Sequence, residues 1–232
     1  MIKFFRKIRQ NLLMKNKTGK YFKYAIGEII LVVIGILIAL QINNWNQNRL
    51  NRIGAENFLN QVQEELELDV INYKRDLDKI QRYTDYLNKV SERKYSEIDL
   101  SLLPSSLTRN LSPNNNNTSY TKMLESGIIE YVDNNIIKKK LKKYYLTDYV
   151  NYNNLTSFHL KFVLENIEGP SLEILKYKRG FRVEPNEVIE KLEDGKLESM
   201  INWQISFLEN YVPLINENKI KAEKLISLIE KK

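Results

Sequence analysis

The chain has 232 residues, with 36 lysines and arginines, 29 aspartates and glutamates, one histidine and no cysteine, and its formal net charge is +7. This length allows one domain with a hydrophobic core, and the absence of thiols excludes disulfides and thiolate metal sites. A basic excess is typical of proteins that bind nucleic acid, so its distribution along the chain decides what it means.

The basic excess belongs to the first 23 residues, which we call the leader. The leader has no acidic residue and eight basic ones: Lys3, Arg6, Lys7, Arg9, Lys15, Lys17, Lys20 and Lys23. The rest of the chain therefore has 28 of the 36 bases against all 29 acids. Cationic residues just before a membrane helix mark its cytoplasmic side, where anionic lipids attract them. We therefore expect the lipid bilayer, and no nucleic acid, as the partner of this charge.

A transmembrane helix is predicted over residues 24–44. Twelve apolar or small residues run without interruption from Ile29 to Leu40, and the flanking residues extend the segment to about 27 Å of helix, enough to cross a bilayer. Trp45 follows as an interfacial anchor. A cleaved signal peptide is the competing interpretation, because such peptides have short apolar regions. The long leader and the lack of an A-x-A-like site favour an uncleaved signal anchor, with the remaining chain outside the cytoplasm.

One face of the predicted membrane helix carries Glu28, Val32, Gly35 and Ala39. Gly35 and Ala39 form a small-xxx-small pair that lets two helices approach closely, and an ionisable residue in a membrane segment usually faces protein or water. We therefore expect self-association through this face. The alternative for Glu28 is that its side chain extends to the cytoplasmic interface.

Residues 45–95 are predicted to continue as one long amphipathic helix, either a coiled-coil stalk or a bundle helix. Its apolar positions form two rows at seven-residue spacing: Leu59, Leu66, Tyr73, Ile80 and Leu87, and Gln63, Val70, Leu77 and Thr84. We assign the nearby acids Glu64, Glu65, Glu67 and Asp69 to a solvated face. Residues 96–118, rich in Ser, Pro and Asn, are predicted to be a loop that is mobile or a contact surface.

Residues 119–232 are predicted to complete an all-α bundle. We expect a short helix closed by Gly127, a helix capped by Asp133 and stopped at Gly169-Pro170, and a helix from Pro185 to about Asp194. The last helix, which Pro213 should kink or split, repeats the seven-residue rows: Leu197, Gln204, Tyr211, Asn218 and Leu225, and Ile201, Leu208, Ile215, Ala222 and Ile229.

The stretch from Gly19 to Asn46, GKYFKYAIGEIILVVIGILIALQINNWN, and more weakly that from Tyr120 to Tyr145, resemble a family of uncharacterised domain-of-unknown-function proteins common in Bacteroidota. The resemblance implies a single-pass protein of the bacterial inner membrane with a periplasmic domain. It brings no reaction, substrate or catalytic residue.

Few residues indicate chemistry. His159 is the only histidine, so multi-histidine metal sites are excluded, and we place it at the border of the core. No phosphate-binding glycine motif occurs. We assign the basic cluster Lys138, Lys139, Lys140, Lys142 and Lys143 to a charged outer face, with contact to lipid or another polyanion as the alternative.

The sequence therefore predicts a membrane-anchored periplasmic interaction or scaffold module without cofactor, whose partner is a second copy or another envelope protein. The alternatives are a sensor-like ligand-binding bundle that works with a membrane partner, and an enzyme with a carboxylate site. A pocket with two inward carboxylates would favour the enzyme, and an exposed apolar groove would favour the interaction module.

Overall fold

A computed structural model describes residues 18–231, apart from the side chains of Thr18, Lys20 and Tyr21. The leader residues Lys3, Arg6, Lys7, Arg9, Lys15 and Lys17 lie outside the described residues. The described chain is all-α, as predicted, and its strand-like pairing is limited to an isolated bridge between Lys178 and Arg182. Its α-helices are α1 (Thr18–Ser91), α2 (Leu103–Leu107), α3 (Thr118–Glu125), α4 (Asn135–Lys143), α5 (Tyr149–Val163), α6 (Gly169–Ile174), α7 (Pro185–Glu193) and α8 (Lys196–Glu230).

The chain divides after Gly54 into two compact units. The first unit contains the apolar start of α1, whose most apolar 18-residue window has a mean hydropathy of 2.6 and no buried residue. By length and composition this is a helix that can cross a membrane, and within the described residues α1 is the one helix of this kind.

The second unit, from Ala55 onward, is a helical bundle built on α1 and α8. Leu59, near the start of this part of α1, shares a hydrophobic cluster with Leu225, near the end of α8. Tyr73 and Tyr211 share the middle cluster, and Leu87 and Leu197 share the cluster at the other end. The two helices therefore run antiparallel, and the space beside them is filled by the remaining helices.

The predicted rows on α8 face the core, because all ten of their residues are buried. On α1 the first predicted row, which starts at Leu59, is also buried. Of the second row, Val70 and Thr84 are buried, whereas Gln63 and Leu77 are only partly so. A further row, shifted by one residue, contains the buried residues Ala55, Val62, Asp69, Asp76 and Val90, with the half-buried Tyr83 between the last two. Since both rows pack inside one chain, this part of α1 is a bundle helix.

The segment predicted as a loop, 96–118, is more ordered than expected. It contains 3₁₀ turns at Tyr95–Glu97 and Leu100–Leu102 and the short helix α2. Residues 109–117 have no regular structure, as predicted, but the segment also contributes to the core, because the apolar residues Leu100, Leu103, Leu107 and Leu111 are buried. Their spacing of three or four residues resembles that of a helix face.

Three predicted helix boundaries also differ. Asn134, not Asp133, caps α4, because its side chain accepts hydrogen bonds from the backbone N–H of Ile136 and Ile137. Gly169-Pro170 does not stop the preceding helix, because a π-turn at Leu164–Glu168 leads directly into α6 and places Pro170 in its first turn, where a missing N–H is tolerated. Pro213 lies exposed within α8, which continues past it to Glu230. The predicted helices ending near Gly127 and beginning at Pro185 are confirmed.

Candidate functional site

Two aspartates lie on the buried face of α1. Asp69 is fully buried and Asp76 is 2% exposed, so the assignment of Asp69 to a solvated face was wrong. Both occupy the shifted row that packs against the other helices. A carboxylate in such a place must receive hydrogen bonds or take up a proton, because burial disfavours its charge.

Asp69 is held by a short hydrogen-bond chain. The Tyr144 hydroxyl donates to Asp69 Oδ2 at 2.8 Å, and Asn116 Nδ2 donates to Oδ1 at 3.0 Å. The Tyr144 hydroxyl also lies 3.1 Å from that of Tyr73. Burial raises the pKa of Asp69 to about 7, against the opposite effect of the two donors. Near neutral pH the carboxyl group therefore gains or loses a proton inside the domain.

Tyrosine rings surround this carboxyl group because the helix locally widens. A π-turn at Tyr144–Asp148 separates α4 from α5, and it turns Tyr144, Tyr145 and Asp148 inward together. The ring of Tyr145 stacks on Tyr120 at 4.3 Å and meets Tyr144 edge-on at 5.0 Å. The hydroxyls of Tyr120 and Tyr145 are buried and have no hydrogen-bond partner in the described part of the chain. Buried hydroxyls without a hydrogen-bond partner destabilise the fold. The stabilisation of this cluster therefore comes from the contacts between the tyrosine rings.

Asp76 connects the buried row to the surface. The Tyr152 hydroxyl donates to Asp76 Oδ2 at 2.8 Å, and Lys79 Nζ lies 3.3 Å from Oδ1. Lys79 is partly exposed and lines a cleft on the outside of the domain. The carboxylate therefore holds a cation at the cleft wall while a tyrosine from α5 fixes the carboxylate.

This cleft has a volume of about 890 Å³ and is formed by four parts of the chain. Its wall includes Lys79 and Tyr83 of α1, several residues between Pro104 and Ser112, Glu168 and Leu172 around α6, and Tyr177, Lys178, Gly180 and Phe181. Small-molecule sites typically measure about 300–1,000 Å³. Glu168 is the one carboxylate in the wall among the described residues, and neither Asp69 nor Asp76 lines it. The predicted criterion for an enzyme, a pocket with two inward carboxylates, is not met by this cleft.

The face predicted for membrane-helix association lies in the first unit. Val32 is 56% exposed, Ala39 is exposed, and a Cβ placed on Gly35 would meet no atom within 4 Å. Glu28 is partly exposed and engages another group of the chain. Trp45 is 67% exposed, and Lys23 of the leader is exposed at the start of α1.

His159 lies inside the domain. Its ring stacks on Phe207 at 4.1 Å, and its Nε2 lies 3.0 Å from Gln204 Oε1. Burial lowers the pKa of His159, so the neutral ring is favoured. This environment is that of a core histidine. Within the described residues no group of three potential metal ligands occurs.

The basic cluster is an outer face of α4, as the pattern predicted. Ile137 and Leu141 are buried, whereas Lys139, Lys140, Lys142 and Lys143 are exposed. Lys138 is partly buried and pairs with Glu130 at 3.8 Å. Contact of this face with lipid or another polyanion stays a prediction.

A family model described as a family of unknown function, DUF6090, matches residues 28–162. The match extends from the predicted membrane segment to the end of α5, so it includes both buried aspartates and the tyrosines around them. No curated protein and no solved structure matches the chain.

Proposed function

The chain belongs to the DUF6090 family, as its resemblance predicted, and we propose that this member is a single-pass protein of the bacterial inner membrane whose periplasmic helical domain acts as an interaction module. The observation that carries the proposal is the contrast between the two units. The apolar start of α1 has no buried residue in its most apolar window, whereas the domain from Ala55 onward encloses its own core.

Orientation follows from charge. The leader's cations precede the membrane helix, and the short stretch after it, residues 41–51, has Arg49 as its one charge. Positive residues stay on the cytoplasmic side, so the leader faces the cytoplasm and the domain faces the periplasm. Trp45 then lies at the outer interface, where tryptophan is enriched.

We assign self-association to the membrane helix, because the seven-residue rows of the domain pack against each other in the core of a single chain and are not exposed to a second copy. The open surface at Gly35, with Ala39 one turn further, gives a second helix room to approach. The partner is a second copy of this chain, or the membrane helix of another envelope protein.

Replacing both Gly35 and Ala39 with leucine is expected to abolish self-association in membranes, because the added side chains separate the helix backbones. The measurement is energy transfer between labelled copies of the full chain in lipid vesicles. Gly27→Leu is the matched control, since Gly27 also has open space around it but lies about 100° from Glu28 around the helix. Unchanged energy transfer in the Gly35→Leu, Ala39→Leu variant contradicts this assignment.

The cleft favours a second candidate function, the sensor-like ligand-binding bundle. In that function the cleft binds a small molecule in the periplasm, and a membrane partner carries the response. The two candidates have separate tests, since one concerns the membrane helix and the other the cleft.

A further inference from the structure

The cations of the cleft are not equivalent. Lys79 is paired with Asp76 at 3.3 Å, and Lys178 is paired with Glu184. Arg109 donates from Nε to the backbone oxygen of Ser105 at 3.1 Å. Among the described residues, however, no carboxylate lies within 4 Å of its guanidinium group.

The one carboxylate of the cleft wall is also without a counter-ion. Glu168 lines the cleft, and in the described part of the chain no lysine, arginine or histidine nitrogen lies within 4 Å of its carboxylate. The cleft therefore presents one unpaired positive group and one unpaired negative group, which do not pair with each other. A planar guanidinium binds a carboxylate with two hydrogen bonds, and a carboxylate binds an ammonium group in the same charge-assisted way.

The rim of the cleft is apolar and held in place. Phe181 is 73% exposed and Leu172 is 58% exposed, and the backbone of Phe181 has φ 55°, in the left-handed region. This conformation is costly for a residue with a bulky side chain. The backbone N–H of Lys178 donates to the Arg182 oxygen at 2.7 Å, and Arg182 pairs with Asp99 at 3.1 Å. This loop therefore presents an exposed aromatic ring to the cleft, and contacts of Lys178 and Arg182 stabilise its backbone.

We propose that this cleft binds a zwitterion of the amino-acid or short-peptide class with an apolar side chain. Arg109 binds the carboxylate of the ligand, Glu168 binds its ammonium group, and Phe181 with Leu172 contacts its side chain. Ser105, Thr108 and Asn110 supply further polar groups along the wall. The proposal rests on the ligand-binding candidate, and its failure leaves the membrane-helix assignment untouched.

The test measures binding to the full chain in detergent micelles by calorimetry. The probes are the common L-amino acids and the dipeptide leucyl-phenylalanine, followed by the amide and the N-acetyl derivative of the tightest probe. We expect the tightest probe to bind with a dissociation constant in the millimolar range or lower. Each of its two derivatives should bind at least about tenfold more weakly, because each lacks one charge-assisted contact.

Variants then assign each charge. Arg109→Gln should weaken binding of the zwitterion at least about tenfold and leave binding of the amide unchanged. Glu168→Gln should weaken binding of the zwitterion and leave binding of the N-acetyl derivative unchanged. Arg179→Gln is the matched control, because Arg179 is exposed and does not line the cleft. The proposal is overturned if no probe binds at about 10 mM, or if the N-acetyl derivative binds as tightly as the zwitterion. It is also overturned if the Arg109→Gln and Glu168→Gln variants bind the zwitterion as tightly as the wild type.

Discussion

Asp69→Asn is expected to change the pH dependence of stability strongly, because burial raises the pKa of the Asp69 carboxyl group. In the unfolded chain the aspartate titrates at its ordinary pKa of 3.8, whereas in the folded chain burial raises this pKa to about 7. Between these values the folded state keeps a proton that the unfolded state has lost, so the free energy of unfolding falls as pH rises from about 4 to about 7. The full loss is about 4 kcal/mol, at 1.36 kcal/mol per pKa unit.

Asparagine does not titrate, so the variant lacks this loss. The free energy of unfolding of Asp69→Asn minus that of the wild type should therefore rise by about 4 kcal/mol as the pH is raised from 4 to 8. Urea unfolding of the full chain in detergent measures this difference, with the fluorescence of Trp203 as the signal, because its ring stacks on Phe162 inside the domain.

Taking the difference between two proteins also removes the effect of His159. Because burial lowers the pKa of His159, its protonation destabilises the fold as pH falls, which opposes the trend from Asp69. His159 is present in both proteins and cancels. Asp78→Asn, at an exposed position on the same helix, is the control and should run parallel to the wild type. A difference between wild type and Asp69→Asn that stays constant from pH 4 to pH 8 contradicts the account.

Removing the hydroxyl of Tyr152 is expected to destabilise the domain by about 1.5–3 kcal/mol, the usual range for a hydrogen bond to a charged group. In Tyr152→Phe, Asp76 stays buried and loses the donor that lies 2.8 Å from Oδ2. The midpoint of urea unfolding at pH 7 measures the loss.

Tyr211→Phe is the matched control, because Tyr211 is equally buried and meets Tyr152 edge-on at 6.3 Å. Its hydroxyl has no hydrogen-bond partner among the described residues. Removing this hydroxyl should leave stability unchanged or raise it slightly. Equal losses from the two variants would show that the bond to Asp76 contributes nothing.

The fold could largely be predicted from the sequence, because helix periodicity and capping residues are local signals. The rows of α8 and the helices near Gly127 and Pro185 follow from these signals. The stop predicted at Gly169-Pro170 was wrong, since proline is tolerated in the first turn of a helix. Pro213 does not split α8, which continues to Glu230, and a kink at Pro213 stays a prediction.

The site could not be predicted, and the two reasons are physical. Asp69 and Asp76 are charged, so a pattern of apolar positions does not include them, and the predicted second row on α1 runs through Gln63 and Leu77, which are only half-buried. The sequence signal for the shifted row is its apolar members Ala55, Val62 and Val90, each three or four residues from a member of the first row. The cleft combines Lys79, Arg109, Glu168 and Phe181, which are far apart in the chain, and no local pattern connects them.

The side of the membrane on which the domain lies is the first measurement to make, because the proposed interaction module requires the domain to lie outside the cytoplasm. A reporter active only in the periplasm and one active only in the cytoplasm are fused in turn after Lys232. We expect activity from the periplasmic reporter alone. Activity from the cytoplasmic reporter alone would contradict it, and the exposed lysines of α4 would then face cytoplasmic partners such as nucleic acid.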